Sequence, residues 1–272
     1  MKTEKYTLIT GASTGLGREL ALECAGMGKN LILTALPGEQ INRFGLHLTV
    51  QFNVQVKTFE TDLTKFEAVE QLVQNIDGFE IEILINNAGV GGTKSFLEAK
   101  TTYIDQIVLL NMRALVLLTH LLLPVLRKQG KAYILNIASM ASFGPMPFKT
   151  VYPASKAFVY SFSRGLGAEL KGTGVIVSVA HPGGMRTNAE VTRRIESHNR
   201  LIRSTTLSTS KVAKICIRQL LKGDELIIPG FMNKISWLIL KMVPVWMRLR
   251  IMRSTLQKEI EMSNQIVEGD CK

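Results

Sequence analysis

Short runs of apolar residues recur along the chain and alternate with longer segments in which apolar residues repeat at helical spacing. Short strands that are apolar on both faces indicate a parallel sheet covered on both sides by helices. Right-handed crossovers between such strands build a doubly wound sheet. The pattern therefore predicts a single α/β domain with strands near residues 6–10, 30–35, 54–59, 81–85, 132–138, 175–180 and 225–228.

One segment, residues 107–126, is long and apolar enough to span a bilayer. It contains Asn111, Arg113 and His120, however, and charged side chains in the middle of a span are costly. It also stands between two predicted strands of one sheet. A helix that is apolar on all sides is otherwise found in a large core or at a subunit interface, and we favour that interpretation.

The composition is that of a globular protein of 272 residues, and its three cysteines have neither metal-ligand spacing nor a disulfide pattern. We therefore expect no metal site and a reducing, cytoplasmic location. The N-terminal residues leave no room for the apolar core of a signal peptide before Gly11.

The net charge of +11 is concentrated near the C-terminus. Residues 186–222 carry nine basic and two acidic side chains, and residues 231–253 carry five basic side chains and no acidic one. Such a distribution favours an acidic partner, but we expect no nucleic acid.

A glycine cluster follows the first predicted strand and precedes a helix. Its spacing is G-x-x-x-G-x-G, which differs from the usual dinucleotide fingerprint G-x-G-x-x-G. Glycines permit a tight turn and a close approach of phosphate to the backbone, and a helix N-terminus offers free N–H donors. The strand–loop–helix context favours a nucleotide site over a plain turn.

Tyr152 and Lys156 lie one helical turn apart on one face of a predicted helix. A nearby ammonium favours the phenolate and lowers the tyrosine pKa, so that the phenol can exchange a proton with a carbonyl or alcohol oxygen. Because Pro153 disfavours helical geometry at the residue before it, we expect Tyr152 in the first turn of that helix.

These features together resemble the short-chain dehydrogenase/reductase family. The motifs occur in the family's order and spacing at residues 10–17, Asn86 to Gly89, Asn111, Ser139, Tyr152, Lys156 and Pro182-Gly183. The resemblance implies a single Rossmann-like domain around a seven-stranded parallel sheet. It also implies a homodimer or homotetramer.

The resemblance assigns four catalytic roles. Tyr152 is similar to the general acid/base, and Lys156 to the residue that lowers the tyrosine pKa and holds the nicotinamide ribose. Ser139 is similar to the hydroxyl that steadies the reacting oxygen, although alone it would be read as a helix cap. Asn111 is similar to the residue that organises a proton path to the lysine.

The same resemblance implies a set of cofactor-binding residues. Asp62 is open to a second interpretation of equal weight, a turn or helix cap. The implied set is Gly11, Ser13, Thr14, Gly15, Leu16, Gly17, Asp62, Leu63, Asn87, Ala88, Gly89, Tyr152, Lys156, Pro182, Gly183 and Thr187.

The choice of dinucleotide depends on the end of the second strand. An acidic residue there binds the NAD ribose, whereas an arginine accommodates the NADP phosphate. This chain has Ala35-Leu36-Pro37, which offers neither. Ser13, Arg18 or Arg43 could supply donors to a phosphate, so the sequence favours NADP(H) by a small margin without excluding NAD(H).

Two C-terminal segments bear on the substrate. Residues 184–208 match the family's substrate lid and are rich in arginine, which indicates either a solvated surface or a site for an acidic handle such as coenzyme A phosphate. Residues 231–272 form an amphipathic basic extension that Pro244 should break into two helices. Its segment 231–253 either contacts an anionic membrane or packs on a subunit or over the substrate pocket.

The predicted activity is interconversion of a ketone and a secondary alcohol, with reduction of an apolar or acyl carbonyl favoured. One alternative is a non-catalytic dinucleotide-binding sensor or scaffold, which would have no need of the serine, tyrosine, lysine and asparagine set. Another is a membrane-surface protein that acts through its basic C-terminus.

Overall fold

The computed structural model describes residues 4–185, 205–253 and 257. Within this part of the chain, seven parallel strands form one sheet in the order β3-β2-β1-β4-β5-β6-β7, which confirms the predicted fold class. The strands are β1 (Lys5–Thr10), β2 (Asn30–Ala35), β3 (Val56–Glu60), β4 (Glu80–Asn86), β5 (Ala132–Ile137), β6 (Val175–Ala180) and β7 (Leu226–Ile227).

Helices cover both faces of this sheet. A π-helical stretch, Leu109–Ala114, joins α4 to α5, and a 3-10 helix, Met140–Phe143, follows β5. The helices are α1 (Gly15–Gly26), α2 (Ile41–Phe52), α3 (Phe66–Asn75), α4 (Thr101–Val108), α5 (Leu115–Lys128), α6 (Val151–Glu169), α7 (Thr209–Lys222) and α8 (Phe231–Met242).

The strand boundaries agree with the predicted ones to within two residues, because the buried strands are apolar on both faces. Leu8 and Ile9 are both fully buried, yet they belong to core clusters on opposite sides of the sheet. Successive side chains of a strand point to opposite faces, so each strand contributes to both cores. β3 lies at an edge, and none of its five residues is fully buried.

The order of the strands reverses beside β1, which lies between β2 and β4. The chain builds the sheet outward from β1 to β3 and then returns to pair β4 with the other side of β1. A crevice opens at such a switch point, beyond the carboxyl ends of the strands. The residues after Thr10 and Asn86 therefore meet at the base of this crevice.

The continuous helix Thr101–Lys128, made of α4, the π-helical stretch and α5, is long and apolar enough to cross a membrane by length and composition alone. It packs against β4 and β5 as the crossover between them, and 39% of its most apolar window is buried. The helix predicted over residues 107–126 thus lies on one face of the sheet and is partly buried. Leu118, Leu122 and Leu126 are its side chains that are buried in the core.

A ladder of buried polar side chains links β4, β5, α5 and α6. Asn86 Nδ2 donates to Thr119 Oγ1 at 3.0 Å and to Asn136 Oδ1 at 2.9 Å. Asn136 Nδ2 in turn donates to Ser163 Oγ at 2.9 Å. Buried polar groups need such partners, so the ladder fixes how these four elements meet.

The segment after β7 turns back onto the sheet's carboxyl edge. Pro244 ends α8, and a further helix covers 245–253, as the sequence predicted. Asn233 is buried and donates to Pro229 O at 2.7 Å and Thr205 O at 3.1 Å. Arg248 Nη1 donates to Phe143 O at 2.9 Å, which ties the last helix to the 3-10 turn after β5.

Candidate active site

The glycine loop between β1 and α1 is packed against the chain that follows β4. Gly11 and Gly15 have positive φ angles of 63° and 55°, which favour glycine. A Cβ at Gly17 would lie 2.5 Å from Asn87 Nδ2 and closer still to Gly11 O. Asn87 Nδ2 also donates to Thr10 O and Gly11 O, both at 3.0 Å. The loop geometry therefore depends on Asn87.

A cavity of about 440 Å³ opens along the carboxyl edge of the sheet. Most of the predicted cofactor residues line it, whereas Gly15 and Gly17 do not, and Thr187 lies outside the described residues. The predicted residues in the lining are Gly11, Ser13, Thr14, Leu16, Asp62, Leu63, Asn87, Ala88, Gly89, Ser139, Tyr152, Lys156, Pro182 and Gly183.

Tyr152 is the second residue of α6, so it lies in the first turn as Pro153 predicted. Ser139 Oγ accepts a hydrogen bond from Ala141 N at 3.1 Å, and the same side chain lines the cavity together with Tyr152. Ser139 is therefore both a cap of the 3-10 helix and a residue of the same cavity as the phenol. Burial raises the pKa of Tyr152 above its ordinary value, and the polar side chain of Ser139 lowers it in part.

Lys156 is buried one helical turn after Tyr152, and its ammonium bonds to the backbone of β5 and not to the phenol. Its Nζ donates to Ile137 O at 2.8 Å and lies 5.9 Å from the ring centroid of Tyr152. Burial lowers the pKa of Lys156 to about 8. The net shift of the tyrosine pKa is upward, and burial of the phenol is its largest cause.

Asn111 holds the chain that leaves β4. Its Oδ1 accepts from Val90 N and its Nδ2 donates to Val90 O, both at 2.9 Å. Nδ2 also donates to Ser155 Oγ at 3.0 Å. A Cβ at Gly89 would lie 3.0 Å from Asn111 Oδ1 and 3.3 Å from Lys156 Nζ. Asn111 and Lys156 thus both adjoin Gly89, and the Asn111 carboxamide bonds to the Val90 backbone and to the Ser155 hydroxyl.

Asp62 is a turn residue in the structure, which is one of the two interpretations that the sequence left open. Its Oδ1 accepts from Thr64 N at 3.0 Å and from Thr64 Oγ1 at 2.7 Å, which makes it a turn residue. Asp62 also lines the cavity.

Glu39 is a site residue that the sequence did not reveal. It lines the cavity, and Ser13 Oγ donates to its Oε2 at 2.5 Å. The premise that no carboxylate stands near the end of β2 is therefore wrong. Glu39 comes four residues after Ala35, in a loop whose following residue, Gln40, takes a left-handed φ of 54°. No pattern of residues predicts that return toward Ser13.

Two further residues adjoin the tyrosine and the serine. A Cβ at Gly91 would lie 2.7 Å from Tyr152 Cε2 and 3.0 Å from Cγ, so the ring packs directly on this glycine. The buried His181 has Nδ1 at 2.8 Å from Ser142 Oγ and 3.1 Å from Ser139 O. Burial lowers the pKa of His181 to about 4, so its ring is neutral near pH 7.

The fold and this constellation define a class. A family model described as short chain dehydrogenase matches residues 5–198, and the chain belongs to that family. A very-long-chain 3-oxoacyl-CoA reductase of Anas platyrhynchos is 34% identical over 184 residues, which are 65% of this chain and 58% of the relative. A 17-beta-hydroxysteroid dehydrogenase type 3 of Danio rerio is 32% identical over 191 residues, 67% of this chain and 61% of the relative. The chain thus spans about 60% of the length of these curated relatives.

Solved structures of the same fold cover almost the whole chain. The bulky-bulky ketone specific alcohol dehydrogenase from Comamonas testosteroni is 27% identical, with a TM-score of 0.76 over 89% of this chain and 92% of that one. A short-chain dehydrogenase from Sphingobium yanoikuyae in complex with NADPH is also 27% identical, with a TM-score of 0.76 over 87% and 92%.

Proposed function

We propose that the protein is a nicotinamide-dinucleotide-dependent oxidoreductase that interconverts a ketone and a secondary alcohol. The observation that carries this proposal is the placement of Ser139, Tyr152 and Lys156 in the lining of one cavity, together with the glycine loop and Pro182-Gly183. Relatives named as reductases and dehydrogenases support it. A non-catalytic sensor would need the loop but not these three side chains.

The loop fits a dinucleotide. Gly11 and Gly17 leave no room for side chains, and Thr14, which precedes α1, makes no side-chain cap, so the first N–H groups of the helix are open to a phosphate. Hydride transfer is the chemistry that a bound nicotinamide supplies. The cavity extends along the sheet from Asp62, which follows β3, and Ala35, at the end of β2, past the glycine loop to Tyr152. The phenol therefore lies at the opposite end of the cavity from Asp62 and Ala35.

Tyr152 acts as the proton donor in the reducing direction. Because burial raises its pKa, the phenol is neutral near pH 7 and has a proton to give to the carbonyl oxygen. Ser139 bonds to the same oxygen and stabilises the charge that develops on it. Lys156, with a pKa of about 8, exchanges its own proton readily near neutral pH and restores that of the tyrosine.

The substrate is proposed to be an apolar or acyl ketone. The two relatives are named as a 3-oxoacyl-CoA reductase and a hydroxysteroid dehydrogenase, and the bulky-bulky ketone specific alcohol dehydrogenase has the same fold. These names support a large, apolar carbonyl compound. A homodimer or homotetramer also remains our proposal, which light scattering would test.

The test is a screen of carbonyl compounds with NADH and NADPH in parallel, repeated with Tyr152→Phe. That variant keeps the ring but removes the hydroxyl, so turnover should fall at least 1,000-fold while dinucleotide affinity changes little. Tyr160→Phe, which removes a hydroxyl from the same helix, serves as the control and should stay active. Turnover retained by Tyr152→Phe would refute the assignment.

We also propose that residues 231–253 contact an anionic membrane surface and that the protein is cytoplasmic and peripheral. Phe231, Met242 and Trp246 are 76%, 80% and 67% exposed, which is unusual for large apolar side chains. Five basic and no acidic side chains accompany them. Sedimentation with phosphatidylserine vesicles should show binding that weakens with salt and with Trp246→Glu. Absence of binding at low salt would contradict the proposal.

A further inference from the structure

Glu39 occupies the corner of the cavity where β2 ends. Ala35, Leu36 and Ser13 line the same corner, and the Ser13 hydroxyl donates to the Glu39 carboxylate at 2.5 Å. In sheets of this topology, the ribose next to adenine lies beyond the end of the second strand. A carboxylate there accepts a hydrogen bond from a 2′-hydroxyl, whereas a 2′-phosphate is repelled.

We propose that Glu39 selects the dinucleotide and that the protein binds NAD(H) in preference to NADP(H). This inference rests on the proposed function. The Glu39 carboxylate accepts a hydrogen bond from the ribose 2′-hydroxyl, and the Ser13 hydroxyl holds this carboxylate in place. The prediction of NADP(H) depended on the absence of a carboxylate at this position, and the loop supplies one from four residues beyond β2.

The commitment of Ser13 strengthens the selection. Ser13 is buried, and its hydroxyl is one of the donors that the sequence offered to a 2′-phosphate. In the structure that hydroxyl serves Glu39 instead. A 2′-phosphate in this corner would therefore lack the Ser13 hydroxyl as a donor, and the Glu39 carboxylate beside that hydroxyl would repel it.

A basic cleft adjoins the same carboxylate. Glu39 also lines a second cavity of about 510 Å³, together with Arg18, Arg43 and His47. The Arg18 guanidinium is stacked 3.9 Å from the ring centroid of Phe44. Once the charge of Glu39 is removed, the guanidinium groups of Arg18 and Arg43 and the freed Ser13 hydroxyl favour a phosphate. The preference should therefore reverse rather than simply vanish.

The experiment measures binding without turnover. Dissociation constants for NADH and NADPH are obtained from nicotinamide fluorescence, and those for NAD+ and NADP+ from calorimetry, for the full chain and for Glu39→Gln and Glu39→Ala. Glu67→Gln is the matched control, because Glu67 is exposed at the start of α3 and lines neither cavity. Thermal unfolding confirms that each variant is folded.

The wild type should bind NADH at least tenfold more tightly than NADPH. Glu39→Gln should lower that ratio by about 10- to 100-fold, mainly through tighter NADPH binding, as expected for removal of one anion beside a phosphate. Glu67→Gln should leave the ratio unchanged. A wild-type ratio near one, or a ratio that Glu39→Gln and Glu39→Ala do not change, overturns the inference.

The outcomes separate this inference from the proposed function. Binding of both dinucleotides with equal affinity, together with turnover that requires Tyr152, refutes the role of Glu39 alone. Absence of binding by either dinucleotide refutes both.

Discussion

Replacing Gly91 by alanine tests how strictly the position of the Tyr152 ring determines activity. The added Cβ would lie 2.7 Å from Tyr152 Cε2 and 3.0 Å from Cγ, with Cδ2 nearer still. Ordinary contacts between carbon atoms are about 3.5–4.0 Å, so either the ring or the chain has to move by roughly 1 Å. The chain is held because Asn111 bonds both polar groups of the Val90 backbone. The ring should therefore move.

A displacement of about 1 Å at a reacting group lowers the rate by roughly 100-fold, which corresponds to about 2.7 kcal/mol in the activation free energy. The dinucleotide affinity should change by less than threefold, since the glycine loop is untouched. Steady-state kinetics with the best ketone of the screen, together with nicotinamide fluorescence, measures both quantities.

Gly165→Ala is the matched control for this change. Gly165 is exposed on the same helix as Tyr152, and an added Cβ would meet no heavy atom within 4 Å. Alanine in a helix interior stabilises it by about 0.5–1 kcal/mol relative to glycine, so this variant should be active and slightly more stable. If Gly91→Ala keeps kcat/KM within threefold of the wild type, the phenol position is not as restricted as we argue.

Two predictions concern stability and pH. Lys156 has a folded pKa of about 8 against an ordinary value of 10.5, so the unfolded chain binds more protons between these pH values and wild-type stability rises with pH there, by roughly 3 kcal/mol at most. Lys156→Met should abolish that rise as well as the activity; urea titrations at pH 7 and pH 9.5 measure it, and a persisting rise would contradict the assignment. His181 has a pKa of about 4 in the folded protein against an ordinary value of 6.5. The neutral ring therefore contributes to the free energy of unfolding above pH 6.5, and this contribution is lost as the pH falls toward 4. His181→Asn should flatten the loss of stability between pH 7 and pH 4.5, and an unchanged loss would assign it to other groups.

The architecture could be predicted because its signal lies in the sequence itself. β1 and β5 are buried along nearly their whole length, and the apolar runs that mark them follow from burial on both faces. The position of Tyr152 could also be predicted, since Pro153 restricts the residue before it. These are local effects, and local effects can be read from a chain one segment at a time.

The remaining features of the site depend on contacts between distant segments. Glu39 reaches Ser13 only because of the path of the loop after β2, and Asn111 reaches Val90 only because α5, which follows the π-helical stretch, packs on β4. The direction of the Lys156 ammonium, toward Ile137 O, likewise depends on how α6 packs on β5. Residue types and spacing contain none of this information.

The contact between Gly183 and Asn233 connects the site to a part of the chain outside the residues that the family model matches. A Cβ at Gly183 would lie 2.6–2.9 Å from the carboxamide of Asn233, so this side chain of α8 fills the space that a side chain at position 183 would need. During evolution, a larger residue at position 183 is tolerable only alongside a smaller one at position 233. Among related sequences, positions 183 and 233 should therefore covary, so that a change in the loop after β6 is accompanied by a change in α8.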